Sequence, residues 1–207
     1  ANIDLKDVEF NGLMAQNWVG KNTFDGQGYT VSNWTYEDGA ADMGFIRQWI
    51  GPIKNVNFEN CHLKTNGRSA VVAGKIYGAI ENVTVNNCSI VDSYWACGII
   101  AGLYNAGSIK NCTVTNSSVK SNGGTSAIVG VINETSGKRN LTNCSVTNCT
   151  INNTGAYGAD YSGGALVGMF NCDNTTYTIA GCTVSNNTLV GTHVYDKYPA
   201  NENVIEE

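Results

Sequence analysis

The stretch Ile53-Lys-Asn-Val-Asn-Phe-Glu-Asn-Cys61 decides the fold, because the chain repeats its pattern four more times. The copies are Ile80-Glu-Asn-Val-Thr-Val-Asn-Asn-Cys88, Ile109-Lys-Asn-Cys-Thr-Val-Thr-Asn-Ser117, Leu141-Thr-Asn-Cys-Ser-Val-Thr-Asn-Cys149 and Ile179-Ala-Gly-Cys-Thr-Val-Ser-Asn-Asn187. A weaker copy starts at Val31. Successive starts at 53, 80, 109, 141 and 179 lie 27, 29, 32 and 38 residues apart. A period near 28 made of short alternating β-branched runs is the signature of stacked strand coils, a β-solenoid. Within each copy Val56 and Phe58 share one face, and Val83/Val85, Cys112/Val114, Cys144/Val146 and Cys182/Val184 fall in the same columns.

A second block recurs between the copies: Val71-Val-Ala-Gly74, Ile99-Ile-Ala-Gly102, Ile128-Val-Gly130 and Leu166-Val-Gly168, with Met43-Gly-Phe-Ile46 as an early variant. Two Asn columns accompany the first block. Asn33, Asn55, Asn82, Asn111 and Asn143 form one, closed by Gly181. Asn60, Asn87, Asn116, Asn148 and Asn186 form the other, with Asp38 at its start. Asn tolerates the left-handed bend and bonds neighbouring backbone, and stacked amides can bond from coil to coil. The columns therefore read as Asn ladders around an Ile/Val/Cys core. The many Asn-X-Ser/Thr triplets are by-products of that pattern rather than glycosylation signals.

Composition bounds the rest. The chain has 207 residues, enough for one domain with a sizeable core. Only 14 % are charged, and the net charge is −5, which argues against a nucleic-acid partner. No apolar run is long enough to span a membrane as a helix. High Gly (24) with very low Pro (2) fits many tight turns. The eight cysteines show no Cys-X-X-Cys pair, so a zinc ribbon is excluded. They read as buried, stacked thiols, with inter-coil disulfides left open. Trp34 and Tyr36 fall in core columns of the first coil, where they plug its end. His62 alternates outward beside Cys61.

The opening Asn2-Ile-Asp-Leu5, the segment Phe24-Asp-Gly-Gln-Gly-Tyr-Thr-Val-Ser-Asn33 and the paired blocks, such as Ala165-Leu-Val-Gly168 and Ser126-Ala-Ile-Val-Gly130, resemble bacterial surface proteins with GLUG repeats. The resemblance covers nearly all of residues 1–190. It implies an all-β, right-handed parallel β-helix of about six coils, similar in shape to pectin lyases. It also implies an extracellular, secreted or surface-displayed bacterial protein, with this chain as part of a larger one. A single domain is expected over 1–190, with an N-terminal coil at 1–50 and repeats at 51–190; residues 191–207 cap or exit the stack. The family carries no single activity, so function has to come from a site.

No catalytic constellation emerges. Acids do not stack in the Glu59 column, and Lys54, Glu81 and Lys110 alternate in sign along one exposed row. Arg and Lys are scattered. The chain therefore reads as non-catalytic, with a polysaccharide lyase or hydrolase as the alternative and a structural stalk as the second. Asp25-Gly-Gln-Gly28 reads as a tight turn. Asp38 and Asp42, beside Glu37, form an acidic patch that reads first as a solvated loop; it is also the one candidate cation site, calcium being the candidate ion. Aromatics are the remaining lead. Trp49, Tyr77 and Tyr104 follow second-block glycines, Tyr94 and Trp95 precede Cys97, and Tyr157 and Tyr161 occupy a long insertion before Gly164. Such residues on neighbouring coils can form a stacking platform for a glycan or a host-matrix ligand. The outward Thr84, Thr113, Ser145 and Thr183 form one column, too narrow for an ice-binding face.

Overall fold

The computed structural model describes residues 1–13, 21–39, 42–92, 94–133, 139–155, 161–171, 177–201 and 204–206. Every strand pair is parallel, and strands stack into four sheets of twelve, six, four and five strands. The chain is thus a β-solenoid of about six turns. One coil runs Ile80–Asn86, Ser89–Asp92, Ala96–Gly98 and Ala101–Tyr104, one strand on each of four faces.

The broad first face is the repeated block. Its register pairs Val56 with Val83 and Phe58 with Val85, and carries Val85 through Val114, Val146 and Val184. All but Val184 are buried. Outward, Lys54, Glu81 and Lys110 stack as the sign alternation requires. The hydroxyls, however, form two outward columns rather than one. Beside Thr84/Thr113/Ser145/Thr183 runs Asn86/Thr115/Thr147/Ser185, since the strand period of two presents both ends of each Thr-Val-Thr-like triplet.

The bends of this face are Asn at positive φ, for example Asn55 (φ 54), Asn82 (φ 55), Asn87 (φ 52) and Asn143 (φ 53), with Gly181 (φ 60) in that place in the last copy. There an Asn is tolerated where most residues are strained. The side chains bond upward as expected. Asn82 Nδ2 donates to Asn55 Oδ1 at 3.0 Å, Asn111 Nδ2 to Asn82 Oδ1 at 3.1 Å, and Asn143 Nδ2 to Asn111 Oδ1 at 3.4 Å. Both ladders start elsewhere than the sequence suggests. Register pairs Val31 with Phe58, so Asn33 heads the second ladder, accepting from Asn60 Nδ2 at 2.6 Å. Asp4, not Asp38, precedes it, and Asp25 heads the first ladder by accepting from Asn55 Nδ2 at 3.1 Å. The cause is a Gly26–Tyr29 insertion that splits the first coil into Phe24–Asp25 and Thr30–Ser32. Every amide hands its N–H toward the preceding coil, so an acceptor-only carboxylate is the fitting first rung.

The cysteine that follows a bend has a physical role. Cys61, Cys88 and Cys149 Sγ each donate to the carbonyl two residues back, at 3.5, 3.2 and 3.4 Å, as Ser117 Oγ does at 2.7 Å. The backbone N–H at the bend is left pointing at the next coil. Cys61 N donates to Cys88 Sγ at 3.3 Å, Cys88 N to Ser117 Oγ at 3.0 Å and Cys149 N to Asn187 Oδ1 at 2.9 Å. The position needs a small side chain that both donates and accepts, and Cys, Ser and Asn all qualify. The seven described cysteines are free thiols. Burial pushes the Cys97 thiol well above its ordinary pKa.

The second-block glycines are explained by a close approach of two faces. A Cβ on Gly74, Gly102, Gly130 or Gly168 would stand no farther than 2.7 Å from backbone atoms of Asp42, Ser69, Cys97 and Thr125 respectively. The short third-face strands cross directly over the fourth face, and only glycine leaves room. At the N-terminal end Trp34 is fully buried, donates Nε1–H to Phe10 O at 3.0 Å, and meets Phe10 and Phe45 edge-on at 5.5 and 6.4 Å. Tyr36 packs beside it at 6.2 Å. The plug is therefore real and larger than the two residues expected of it.

The C-terminal segment does not leave the coil. Val194–Tyr195 pairs with Gly163–Gly164, and Val204–Glu206 pairs with Tyr177–Ile179. Parallel ladder bonds are made by backbone and tolerate loss of the side-chain repeat. Lys197 and the Tyr198 hydroxyl both bond Glu206, tying down this last turn.

Candidate functional site

The corner between the second and third faces carries an internal polar column: Thr65, Asp92, Ser121 and Asn153. All four are buried, with at most 5 % exposure. Asp92, Ser121 and Asn153 each hold the loop that leaves their coil, and Thr65 bonds Asp92. Asp92 Oδ1 accepts from Tyr94 N at 2.5 Å, and Asp92 Oδ2 accepts from Thr65 Oγ1 at 2.7 Å and Gly67 N at 3.4 Å. Ser121 Oγ accepts from Gly123 N at 3.2 Å and donates to Tyr94 O at 3.1 Å. Asn153 Oδ1 accepts from Gly155 N at 2.9 Å, and its Nδ2 donates to Tyr161 O at 3.0 Å. Burial raises the Asp92 carboxyl above its ordinary pKa of 3.8, opposed by these donors. The sequence signal was a polar residue at one fixed offset in four successive coils, and sequence reasoning passed over it.

On this support three of the expected aromatics converge. Tyr94 and Trp95, one coil's loop, and Tyr161, two coils on, line one groove of about 410 Å³ with Met169 and Asn171. Tyr94 is 40 % exposed and meets Trp95 edge-on at 6.3 Å. Trp95 is pinned below. Its carbonyl accepts from Gly124 N at 2.6 Å, and its ring packs on an outward apolar column of Leu103, Val131 and Met169. The groove thus has one packed ring, Trp95, and two tyrosines carried by loops whose backbones are tied to Asp92 and Asn153.

Asn171 enters by a third amide ladder that sequence reasoning missed. Asn133 Nδ2 donates to Asn105 Oδ1 at 3.0 Å, and Asn171 Nδ2 donates to Asn133 Oδ1 at 2.9 Å. Its signal is weaker than that of the other two, since only three coils carry it.

The other expected residues lie elsewhere. Tyr104 is a correction: it is 1 % exposed and donates its hydroxyl to Gly107 O at 2.6 Å, with the Arg139 guanidinium 5.8 Å from its ring centre. It belongs to an inward column of Trp49, Ile76, Tyr104, Ile132 and Phe170, because the strand after the glycine turns that position inward. Trp49 is half-buried in the same column. Tyr77 faces the other way, with Lys75 Nζ 5.3 Å from its ring centre. Tyr157 lies outside the described residues. Asp42 is buried against Arg68, whose Nη2 donates to Asp42 Oδ2 at 2.8 Å, so its carboxylate already has a cation. Asp38 borders a separate groove with Glu37 and Lys64, and its Oδ1 accepts from Gly39 N at 2.5 Å. Among the described residues no three His, Cys, Asp or Glu side chains cluster for a metal.

One further constellation is chemically notable. His62 faces outward as expected, with Nδ1 2.8 Å from Ser89 Oγ and Nε2 3.0 Å from Asn60 Oδ1. Asn60 Oδ1 can only accept, which places the proton on Nε2 and leaves Nδ1 facing the serine hydroxyl. Acyl transfer also needs donors for an oxyanion. Here Ser89 N is already committed to Cys61 O at 2.8 Å. The trio reads as cross-strand neighbours on an open sheet.

The fold and these features define the class: a parallel β-solenoid with an aromatic groove on one corner. No protein-family model matches the chain, and no curated protein matches it. Among solved structures it is similar to a Bacteroides ovatus protein provisionally described as an immunoglobulin A1 protease, at 17 % identity with a TM-score of 0.61. The match covers 100 % of this chain and 68 % of that one. At that identity the likeness is one of fold alone.

Proposed function

We propose that this chain is a non-catalytic binding module of a secreted or surface-displayed bacterial protein, and that it holds a glycan in the Tyr94–Trp95–Tyr161 groove. One observation carries the reading: aromatics from loops 66 residues apart line a single groove, each loop fixed by a buried polar residue. Flat amphipathic rings held rigidly stack on the C–H faces of sugars at low entropic cost. The bacterial and extracellular setting is supported by the GLUG-like repeats and by the fold shared with the Bacteroides ovatus protein.

The test is an array of glycans and matrix proteins probed with the purified chain, with and without calcium. Specific retention is expected that Tyr161→Ala abolishes with an unchanged denaturation midpoint, and that Trp95→Ala abolishes with a lowered midpoint, because the Trp95 ring also packs on Leu103 and Val131. Retention unaffected by either variant would refute the groove. Absence of any retention would favour a spacer, and cleavage of an arrayed polysaccharide would overturn the non-catalytic reading.

A further inference from the structure

Resting on that reading, we infer that the groove takes neutral hexopyranose units in preference to uronate or sialylated ones, with Asn171 as the acceptor that orients them. The first support is the polarity of the third ladder. Asn105, its base, is 2 % exposed and fixed in the interior. From there each amide passes its N–H to the coil before: Asn133 to Asn105, then Asn171 to Asn133 at 2.9 Å. With its Nδ2 engaged by Asn133 Oδ1, Asn171 has its carbonyl Oδ1 left for a ligand in the groove it lines. A ligand meeting it must bring a donor, and a sugar hydroxyl is one whereas a carboxylate is not.

The second support is charge. Tyr94, Trp95, Tyr161, Met169 and Asn171 include no cation. The chain carries no Lys or Arg anywhere between Arg139 and Lys197, the stretch that supplies three of those five residues. A charged side chain that does touch the Tyr94 loop is the acid Asp92. An anionic sugar would lose water from its carboxylate, find no guanidinium or ammonium among the described lining residues, and face a like charge beneath the loop. A neutral hexose loses no charge solvation and gains ring stacking plus one oriented hydrogen bond.

The test uses gluco-, galacto- and manno-oligosaccharides, each titrated calorimetrically beside its uronate counterpart, and lactose beside sialyllactose. The neutral member of a pair is expected to bind at least about tenfold more tightly. Asn171→Ala should weaken that binding on the order of three- to tenfold, the usual worth of one hydrogen bond. Asn133 does not itself line the groove but holds Asn171 Nδ2, so Asn133→Ala should weaken binding by a smaller factor, with the denaturation midpoint recorded as a control. Uronates binding as tightly as their neutral partners would overturn the inference and leave the glycan reading standing. An unchanged affinity in Asn171→Ala would overturn the orienting role. No binding by any member of any pair would remove the glycan reading itself, and this inference with it.

Discussion

Removing the Asp92 carboxylate asks whether the groove is built from beneath. Asp92 is 4 % exposed and accepts from the Tyr94 and Gly67 amides and the Thr65 hydroxyl. In Asp92→Ala the hydroxyl can rotate, but two backbone amides in a dry corner lose their acceptor. An orphaned buried donor costs about 1–3 kcal/mol, and the alanine also removes a carboxylate whose burial is unfavourable, so a net loss of about 1.5–3 kcal/mol is expected at neutral pH. Asp92→Asn keeps an oxygen for the Tyr94 amide, sets its Nδ2 against the Gly67 amide and the rotatable Thr65 hydroxyl, and should lose less than Asp92→Ala, about 1–2 kcal/mol. The two proteins also differ in pH dependence. Burial raises the folded pKa of Asp92 above 3.8. Its contribution is therefore most favourable below the unfolded value and is lost as pH rises through the folded one. Asparagine does not titrate, so the asparagine variant should gain on the parent as pH rises from about 4. Urea midpoints from tryptophan fluorescence, read at intervals between about pH 3 and pH 8, give both numbers. A midpoint for Asp92→Ala equal to that of the parent, or a difference between parent and Asp92→Asn that does not change with pH, would show that the corner is wet and the loop is held by something else.

Trp34→Ala empties the N-terminal plug and strands Phe10 O, and should cost about 3–5 kcal/mol in denaturation; an unchanged midpoint would mean that the aromatic cluster does not close the core. At the heads of the amide ladders the sign of the pH effect is opposite to that of Asp92. The Asn33 amide on Asp4, and the Gln27 and Asn55 donors on Asp25, hold both carboxyls below 3.8. Their contribution is thus fully present above the unfolded value and is lost as pH falls through the lowered folded one. Asp25→Asn should lose this contribution at pH 7 and so flatten the acid limb of the stability profile, the two proteins converging at low pH; an acid limb that keeps its slope in the variant would refute the head-of-ladder role.

The repeat made the solenoid legible because its two strongest constraints are local. A bend that needs positive φ selects Asn at fixed spacing, and an inward column selects Val, Ile or Cys every second residue. What the sequence hid depends on contacts between faces. Gly102 reads as a flexible residue after a strand until Ser69 is found against it. Tyr104 lies two residues after Gly102 and Tyr77 three after Gly74, so strand alternation turns one into the core and the other toward Lys75; grouping both as residues after a glycine misses that offset. Asn33 reads as part of the first ladder but belongs to the second, because Gly26–Tyr29 sets four residues against Asn55 and Val56 and so shifts the register of the first coil by two. The groove was half legible: Tyr94, Trp95 and Tyr161 stood out as loop aromatics, but their meeting and the Asn171 amide depend on how far each loop travels before rejoining the stack.

That distance is what the uneven period encodes. In-register stacking holds the first and second faces constant, from Asn82 to Asn143 and from Ser89 to Thr150. The extra residues in spacings of 32 and 38 must then emerge at the corners. One such emergence lies between Asn153 and Gly163, and it delivers Tyr161 to the loop that Asp92 anchors two coils earlier. A solenoid pays for a longer loop only in loop closure, which grows slowly with length, because its ladder bonds are made on either side regardless. The stack can therefore vary a corner without retuning its core. The polar residue at the root of each loop keeps that variation rigid enough to present rings and one amide in fixed relation. Residues whose change should alter binding but not folding are accordingly those beyond the root, Tyr94, Tyr161 and Asn171, while Asp92 and Asn153 should affect both.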